Sequence, residues 1–342
     1  MPAIELSGRL VGDGAAVFVI AEACDNHLGD LATAKEMARQ AQLAGADAVK
    51  YQHHIPREEM LPDVPMSDNF EEPLFDFLEK YALKLEDHIE LMAFCRDLGI
   101  IYMCTPFSYR AAVELADIGI ESFKIGSGEL TDIPSLVRIA ELGRPMLLST
   151  GMATLEEIDA TVEAMRETGV PFALMNCVSE YPPVYEDMNL GVIGVLRDRY
   201  PDLVIGHSDH TPDLYTSFAA VALGARALEK HIILDKAQPG PDQSVSIDIP
   251  ELRDLVDGVR KVEVSLGSEK RVHGRERDIR SWAHRSVVTI RDVAAGSVIV
   301  DEDVWTKRPG TGIPSRDLSK VLGRRVKRDI AADSLLSWDD LD

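Results

Sequence analysis

The chain has 342 residues, of which 45% are hydrophobic and 27% are charged, so it has the composition of a globular protein with a full core. Its formal net charge of −22 argues against nucleic acid as a partner and against docking on an anionic membrane, because both require a basic face. No apolar run approaches the ~18 residues of a membrane span, and the first residues do not read as a secretory leader. The cysteines lack the spacing of a disulfide framework or a metal motif, so we expect a cytoplasmic protein.

Charge is distributed unevenly along the chain. Residues 270–328 contain fifteen Lys and Arg but only seven Asp and Glu, whereas the chain as a whole is strongly acidic. The simpler interpretation is electrostatic complementarity between two packed domains. A second interpretation is that this basic section brings a cation to an active site.

Eight short apolar runs alternate with longer amphipathic stretches, such as residues 31–46 and 156–169. The runs are residues 17–21, 46–52, 100–105, 122–127, 145–150, 172–177, 203–208 and 227–232. Buried parallel strands joined by helices have this pattern. Eight such units in about 250 residues predict an α/β fold, a (β/α)8 TIM barrel, and the absence of GxGxxG in the first unit argues against a dinucleotide-binding fold.

The pattern changes after residue 266. We predict a barrel domain over residues 1–266, a polar linker over 267–284 and a small β-rich domain over 285–342. Within the barrel, residues 53–85 form an unusually long connection after the second strand. Long connections in compact domains often act as lids or binding loops.

Polar side chains mark the carboxyl end of each predicted strand, which is where barrel enzymes carry their chemistry. They are Glu22, Lys50, Gln52, Thr105, Lys124, Ser127, Glu129, Ser149, Ser179, Tyr181, His207, Ser208, His210, Glu229 and His231, with Asp242 in the loop after the last strand. Taken singly, a Ser or Thr here is usually a helix cap, a Lys is usually solvated, and a His is usually a satisfied polar residue. Polarity at the same level in all eight units favours a shared site instead.

Two kinds of chemistry follow from these residue types. Lys50 and Lys124, with several hydroxyls and the backbone amides of residues 124–128, suit a phosphate or carboxylate ligand. His210 and His231 lie at the ends of adjacent strands, and Glu22 or Asp242 would complete a divalent metal site. The spacing alone is a weak metal signal, because no HExxH or CxxC pattern is present.

Nine motifs resemble, in order, those of the sialic acid (N-acetylneuraminate) synthase family. They are AEACDNHLGD, KYQHHIPREEM, CTPFS, KIGSGELTDIPSL, LLSTGM, YPPVYEDMNL, GHSDHT, ALEKHI and PGPDQS. The segments VWTKRPGTGI and GRRVKRDIAADSLLSWDDL resemble the SAF, or antifreeze-like, domain that follows the barrel in this family. The resemblance therefore covers essentially the whole chain.

The resemblance implies a transferase that condenses phosphoenolpyruvate with an N-acylated mannosamine-type sugar, giving a nine-carbon 2-keto acid and phosphate. It implies that phosphoenolpyruvate is held by Lys50, Thr105, Lys124, Ser127, Ser149, Ser179 and Ser208. It implies a divalent metal on His210 and His231, typically Mn with Mg or Co as substitutes. The sugar-side pocket would consist of Glu22, Gln52, Glu129, Tyr181, Glu229 and Asp242. In a domain-swapped homodimer, Arg308 would reach the partner's barrel near the N-acyl group.

The sequence departs from the family pattern beside Glu22. Cys24 and Asp25 replace a glycine and an apolar residue, and Ser179 stands where asparagine is frequent. Three alternatives therefore stay open: a legionaminic or pseudaminic acid synthase that uses a 2,4-diacetamido-trideoxy hexose, a metal-dependent barrel hydrolase, and a degenerate, non-enzymatic barrel whose SAF module binds a ligand.

Overall fold

Eight parallel strands close into a barrel in the N-terminal part of the chain. The computed structural model describes residues 2–64 and 72–342, which separate into two units, Met1–Gly267 and Ser268–Asp342. The strands of the first unit are β1 (Ala3–Leu6), β2 (Arg9–Gly12), β3 (Phe18–Glu22), β4 (Ala48–His53), β5 (Ile101–Pro106), β6 (Phe123–Ile125), β7 (Met146–Ser149), β8 (Phe172–Cys177), β9 (Ile205–Asp209) and β10 (Ala227–His231). Strands β3 to β10 pair in chain order, and β10 closes on β3. The predicted TIM barrel is confirmed.

Helices follow the barrel strands. They are α1 (Leu31–Ala44), α2 (Pro56–Glu59), α3 (Leu74–Tyr81), α4 (Leu85–Leu98), α5 (Tyr109–Asp117), α6 (Ile133–Ala140), α7 (Leu155–Thr168), α8 (Val192–Arg199), α9 (Tyr215–Ala222) and α10 (Ile249–Ser265). Gly45 ends α1 and Gly99 ends α4, both with positive φ, as glycine does most easily at a helix C-terminus. Capping boxes begin α7 at Thr154 and α10 at Asp248.

Strand alternation separates the barrel into two layers. In β3, Val19 and Ala21 pack outward against the helices, whereas Phe18 and Ile20 point into the barrel. The inner apolar layer consists of Phe18, Ile20, Ala48, Met103, Leu147, Ala173, Met175, Val204 and Ala227. The next inward-facing positions toward the carboxyl ends of the strands are the polar residues of the candidate site. The apolar layer is therefore the floor of that site.

A β-hairpin closes the amino-terminal end of the barrel. Strands β1 and β2 pair antiparallel around a turn at Ser7 and Gly8, both with positive φ. Ile4, Leu6 and Val11 are buried against the inner apolar layer. The sequence patterns did not predict this hairpin.

The long connection after β4 contains two of the helices. Helix α2 begins shortly after β4, and α3 follows residues 65–71, which lie outside the described residues. Leu78 of α3 is buried. The connection therefore contributes ordered helices to the wall above the barrel mouth.

The second unit is small and has its own core. It contains α11 (Glu276–Ala283), β11 (Ser286–Thr289), β12 (Val304–Lys307) and α12 (Leu318–Val321), and β11 pairs antiparallel with β12. Its buried cluster comprises Val287, Val293, Ile299, Val304, Ile313, Val321, Val326, Ile330, Leu336 and Leu341. Residues 267–284, predicted as a linker, include the helix α11. Within the described chain, no helix is both long and apolar enough to cross a bilayer.

A buried ion pair stabilises the loop that carries His210. Asp209 at the end of β9 lies 3.3 Å from Lys230 of β10, and both side chains are fully buried on the outer face of the barrel. Asp209 also accepts hydrogen bonds from Thr216 at 2.7 Å and Ser217 at 2.5 Å. Burial would raise the pKa of Asp209, but Lys230, His207, the Ser217 hydroxyl and the backbone N–H of Thr211 outweigh it and hold the pKa below its ordinary value.

We expect Asp209→Asn to lower the free energy of unfolding by about 3–5 kcal/mol, because it leaves a fully buried ammonium without a counter-charge. Urea denaturation monitored by circular dichroism measures the loss. The matched control is Asp202→Asn in the exposed pair with Arg166, which should cost no more than about 1 kcal/mol. Equal stability of Asp209→Asn and wild type would contradict the role assigned to this pair.

Candidate active site

One cavity of about 630 Å³ opens at the carboxyl ends of the barrel strands. Of the polar residues predicted at the strand ends, all but His207 line it: Glu22, Lys50, Gln52, Thr105, Lys124, Ser127, Glu129, Ser149, Ser179, Tyr181, Ser208, His210, Glu229, His231 and Asp242. A cavity of this size accommodates a small ligand with most of its surface buried. The polar strand ends therefore form one concave site.

Glu229 lies between two buried lysines at the base of this cavity. Its Oε1 is 3.7 Å from Lys50 Nζ and 3.5 Å from Lys124 Nζ. Lys50 also pairs with Glu22 at 2.8 Å and donates to Thr105 Oγ1 at 2.8 Å. Lys124 donates to Ser149 Oγ at 2.6 Å. Both ammonium groups thus lie next to one carboxylate oxygen of Glu229, and each also donates to a hydroxyl group.

The charges in this cluster stabilise one another. Burial would raise the pKa of Glu229, but Lys124 and Lys50 outweigh it and lower the pKa to about 2. Burial would lower the pKa of Lys50, but Glu22 and Glu229 outweigh it and raise the pKa above its ordinary value. Both groups are therefore charged at neutral pH, and the ammonium groups can bind an anionic ligand.

Backbone and hydroxyl donors surround the lysine pair. Gly151 N donates to Ser127 Oγ at 3.1 Å, and Ser208 Oγ donates to Glu229 Oε1 at 3.1 Å. Cys177 Sγ lies 3.5 Å from Ser127 Oγ and 3.9 Å from Ser179 Oγ. This side of the cavity is therefore rich in groups that can donate to phosphate or carboxylate oxygens.

The two predicted metal ligands lie side by side. The ring centroids of His210 and His231 are 5.1 Å apart. His210 Nδ1 lies 2.7 Å from Val178 O, which fixes the ring and directs Nε2 toward Tyr181 Oη at 3.1 Å. An imidazole whose Nδ1 binds a carbonyl presents Nε2 as the lone-pair donor, the usual arrangement for a ligand histidine.

A second set of donors surrounds His231. Cys24 Sγ, a ring nitrogen of His231 and a carboxylate oxygen of Asp242 lie within 4.8 Å of one another. His231 Nδ1 is buried, makes no hydrogen bond and lies 3.5 Å from Asp242 Oδ2. Thiol, imidazole and carboxylate donors suit a first-row transition metal. The residues present therefore fit a divalent metal at this corner.

Cys24 has an unusual backbone conformation. Its φ of +41° lies in the left-handed region, which costs a residue with a Cβ roughly 1–2 kcal/mol. Burial, together with the carboxylates of Asp242, Glu22 and Asp25, raises the pKa of the thiol well above its ordinary value.

The sequence prediction missed a cluster of three ionisable residues at the cavity wall, His54, Glu59 and Asp25. His54 Nδ1 lies 3.0 Å from Glu59 Oε2, and His54 Nε2 lies 3.5 Å from Asp25 Oδ2 and 3.0 Å from Gln52 Oε1. Burial raises the pKa of Asp25 to about 6. His54 directly follows β4 and Glu59 ends α2, and both lie in the motif KYQHHIPREEM, which is the sequence signal that was available.

Glu129 faces this group from the loop after β6. Its Oε2 is buried and makes no hydrogen bond, and burial raises the pKa to about 7. Apolar residues complete the wall on this side: Met60, Leu74, Leu78 and Phe107, the last stacked on His54 with ring centroids 4.2 Å apart. The cavity therefore has a cationic, hydroxyl-rich side and a mixed acidic and apolar side.

Arg308, the remaining predicted residue, belongs to the second unit. Its guanidinium lies 5.3 Å from the centroid of the Trp282 ring, and its Nε donates to Ala283 O at 3.0 Å. These contacts are within the second unit and fix the direction of the side chain there.

The raised pKa of Glu129 predicts a pH-dependent cost to stability. The folded state holds the proton up to about pH 7, whereas an unfolded glutamate releases it near its ordinary value of 4.5. The contribution of this group to stability is thus present below pH 4.5 and falls as pH rises toward 7. We expect Glu129→Gln to be more stable than wild type at pH 8, with a smaller difference at pH 5, in urea denaturation.

The matched control for that measurement is Glu121→Gln, because Glu121 is exposed. Its difference from wild type should be the same at both pH values. A Glu129→Gln difference that does not change with pH would contradict the assigned burial of this carboxyl group.

Comparisons with known proteins agree with this geometry. The NeuB family model matches residues 37–271, and the SAF domain model matches residues 284–342. The chain is 35% identical to the N,N'-diacetyllegionaminic acid synthase of Legionella pneumophila, with 97% of this chain and 96% of that protein covered. It is 32% identical to the human N-acetylneuraminate-9-phosphate synthase, over 96% and 94% of the two chains.

A solved structure gives the same result. The N-acetylneuraminic acid (sialic acid) synthetase of Leptospira borgpetersenii superposes with a TM-score of 0.75 at 30% identity, covering 81% of this chain and 94% of that chain. The family model spans more than half of the residues, and the relatives span nearly all of them. The chain therefore belongs to the NeuB family, with a SAF domain at its C-terminal end.

Proposed function

We propose that this enzyme condenses phosphoenolpyruvate with the open-chain aldehyde of an N-acylated mannosamine-type sugar, releasing phosphate and forming a nine-carbon 2-keto sugar acid. The observation that carries the proposal is the convergence of Lys50 and Lys124 on Glu229 at the base of the cavity. A metal-dependent hydrolase has no need of a second buried lysine. A non-enzymatic scaffold has no use for charges that are costly to bury.

The lysine side of the cavity is the proposed phosphoenolpyruvate site. Lys50 and Lys124 would neutralise the phosphate and carboxylate charges, and the hydroxyls of Thr105, Ser127, Ser149, Ser179 and Ser208 would donate to their oxygens. Glu229 lies within ion-pair distance of both ammonium groups, at 3.7 Å from Lys50 and 3.5 Å from Lys124, and so holds them on one side of the cavity. The two lysines are thus preorganised for charge that leaves with the phosphate.

The sugar would bind on the opposite side, next to His210 and His231. These histidines, with Asp242, are the residues that would hold the divalent metal, for which the family resemblance predicts Mn, with Mg or Co as substitutes. A bound divalent metal supplies Lewis-acid polarisation of the sugar aldehyde. Gln52, Glu129 and Tyr181 would orient the sugar through its hydroxyl and N-acyl groups.

The chain's own residues then account for the remaining steps. C3 of phosphoenolpyruvate forms a bond to the aldehyde carbon, and positive charge develops at C2. Glu22, held by Gln52 Nε2 at 3.0 Å and by Lys50, lies in the cavity where its carboxylate stabilises that charge. Water adds at C2, the C2–O bond to phosphate breaks, and Lys50 and Lys124 stabilise the departing phosphate.

A second acceptor has an observation in its favour. Met60, Leu74, Leu78 and Phe107 give the sugar side an apolar wall. A 2,4-diacetamido-trideoxy hexose, which lacks the C6 hydroxyl, would bury a methyl group against such a wall at a gain of about 0.8 kcal/mol per carbon. Legionaminic or pseudaminic acid synthesis is therefore the second candidate function.

We also propose that Arg308 acts in a domain-swapped homodimer, where it would lie over the partner's barrel near the N-acyl group. The support is the family resemblance of the KRPGTG segment and the basic character of residues 270–328. Such a role explains why a basic section follows a strongly acidic barrel sequence.

The first test measures phosphate release from phosphoenolpyruvate with Mn present. N-acetylmannosamine and the 2,4-diacetamido-trideoxy hexose are compared, each with and without EDTA. We expect release that depends on both sugar and metal, and the faster sugar identifies the acceptor class. Release without any sugar, or no release with either sugar, would contradict the proposal.

The second test addresses the lysine pair. Lys124→Met should lower kcat/KM by about 10²–10³, because it removes one of two preorganised cations from the departing phosphate. The matched control is Lys261→Met, since Lys261 is exposed on α10 and pairs with Asp257. Circular dichroism establishes that each variant is folded. Full activity in Lys124→Met would rule out the proposed role.

A further inference from the structure

The loop directly after β3 places a thiol at the metal corner of the cavity. Cys24 is fully buried, and its Sγ lies within 4.8 Å of the donor atoms of His231 and Asp242. Cys24 comes from the loop after β3, His231 from the end of β10 and Asp242 from the loop after β10, and β3 and β10 are the two strands that close the barrel. Their donors therefore surround one point although the residues are distant in sequence.

An independent feature marks this point as a ligand site. His231 is only 4% exposed, and its Nδ1 makes no hydrogen bond. A buried polar nitrogen without a partner is costly unless a bound group satisfies it. Asp242 Oδ2, at 3.5 Å from this nitrogen, supplies negative charge on the same side. An imidazole nitrogen and a carboxylate that face the same point suit a bound cation.

The surroundings of Cys24 support the same conclusion. The thiol is held in a strained backbone conformation, with φ of +41°, next to the carboxylates of Glu22, Asp25 and Asp242. Strained residues persist where the surrounding structure holds them, and they cluster at ligand sites. Three carboxylates beside a sulfur are unfavourable by themselves, but they are favourable around a divalent cation.

We propose that Cys24, with His231 and Asp242, is a protein ligand to the divalent metal, and that its sulfur makes the site prefer Zn, Co or Fe(II) to Mn or Mg. The assignment deepens the proposed function, because it concerns the metal on which that function rests. Soft thiolate ligands select thiophilic metals, whereas carboxylate and imidazole alone accept Mn. On binding, the metal–sulfur bond forms and the thiol proton passes to solvent.

The other cavity thiol provides the matched control. Cys177 lies 3.9 Å from His210 Nδ1 and 3.5 Å from Ser127 Oγ, and it is not one of the three donors around His231. It contacts the Nδ1 side of His210, where the ring already bonds to Val178 O, and not the donor atoms around His231. A sulfur–metal signal can therefore be assigned to one thiol or the other by substitution.

The experiment titrates metal-free, full-length protein with Co²⁺ in the absence of substrates. We expect a near-ultraviolet sulfur-to-cobalt charge-transfer band in wild type and in Cys177→Ser, and no such band in Cys24→Ser or Cys24→Gly. Glycine adopts positive φ without strain, so Cys24→Gly keeps the loop conformation and separates loss of the ligand from loss of the fold. Circular dichroism checks that all variants are folded.

Metal competition gives a second readout. Cys24→Ser should weaken Zn²⁺ binding at least about 100-fold, because even partners outside the coordination shell contribute about 10- to 100-fold. Mn²⁺ binding should weaken by less than about 10-fold, since Mn relies on the imidazole and carboxylate donors. A fall in the ratio of Zn²⁺ affinity to Mn²⁺ affinity in Cys24→Ser therefore indicates that the sulfur binds the metal.

Three outcomes would overturn the assignment: a band that survives in Cys24→Ser, a band that disappears in Cys177→Ser, or stoichiometric Co²⁺ binding by wild type without the band. Failure of wild type to bind Co²⁺ would also overturn it. Because substrates are absent, these outcomes are independent of the condensation assay. If the enzyme turns over but Co²⁺ gives no charge-transfer band, Cys24 is not a metal ligand and the proposed function stands. If the band is present but there is no turnover, Cys24 is a ligand and the proposed function is wrong.

Discussion

Burial of Glu229 between two lysines is the constraint on which the rest of the site depends. Lys50 and Lys124 are each 3% exposed, and an isolated ammonium at that depth would be strongly destabilising. Glu229 and Glu22 supply the compensating charge, and Thr105 and Ser149 supply hydrogen bonds. Glu229 is the member that both lysines share, because it is the only one of these carboxylates within ion-pair distance of Lys124 as well as Lys50.

The barrel makes this set possible by separating apolar from polar material along its axis. The inner apolar layer and the hairpin that closes it exclude water from the floor, and the charged layer lies immediately above. Outside the barrel wall, the Asp209–Lys230 pair fixes the end of β9, from which His210 enters the cavity. One ion pair thus supports the geometry of a residue that it does not contact.

The cavity combines two electrostatic environments within a few ångströms. Its lysine side suits a dianionic ligand, whereas its other side holds Asp25, Glu129 and Asp242 around His54 and His231. The acidic side repels phosphate and favours cations, a neutral sugar or both. Such a polarity would orient the two proposed substrates without a separate pocket for each, and Cys24 lies on the acidic side.

The sequence alone determined the barrel and most of the site. Eight apolar runs with helices between them predict parallel strands, and Lys50 and Gln52, two residues apart, had to share a face. Strand periodicity predicts that Glu22, Lys50 and Glu229 face the barrel interior, and the loops at the same ends of the strands add residues such as Ser127 and Tyr181 to the cavity. The ordered motifs predicted the family, which the comparisons confirmed.

Only the tertiary structure decided which polar groups touch and which face away. His207 and Asp209 are polar at the end of β9, yet both lie outside the barrel, with His207 bonded to Asn176 O. His54 and Glu59 reach the cavity from the long connection after β4, His54 directly after the strand and Glu59 at the end of α2. Cys24 meets Asp242 because β10 closes on β3. Periodicity specifies the face of a strand and the number of units predicts a closed barrel, whereas contacts between loops that are distant in sequence depend on the path of each loop, which these patterns do not specify.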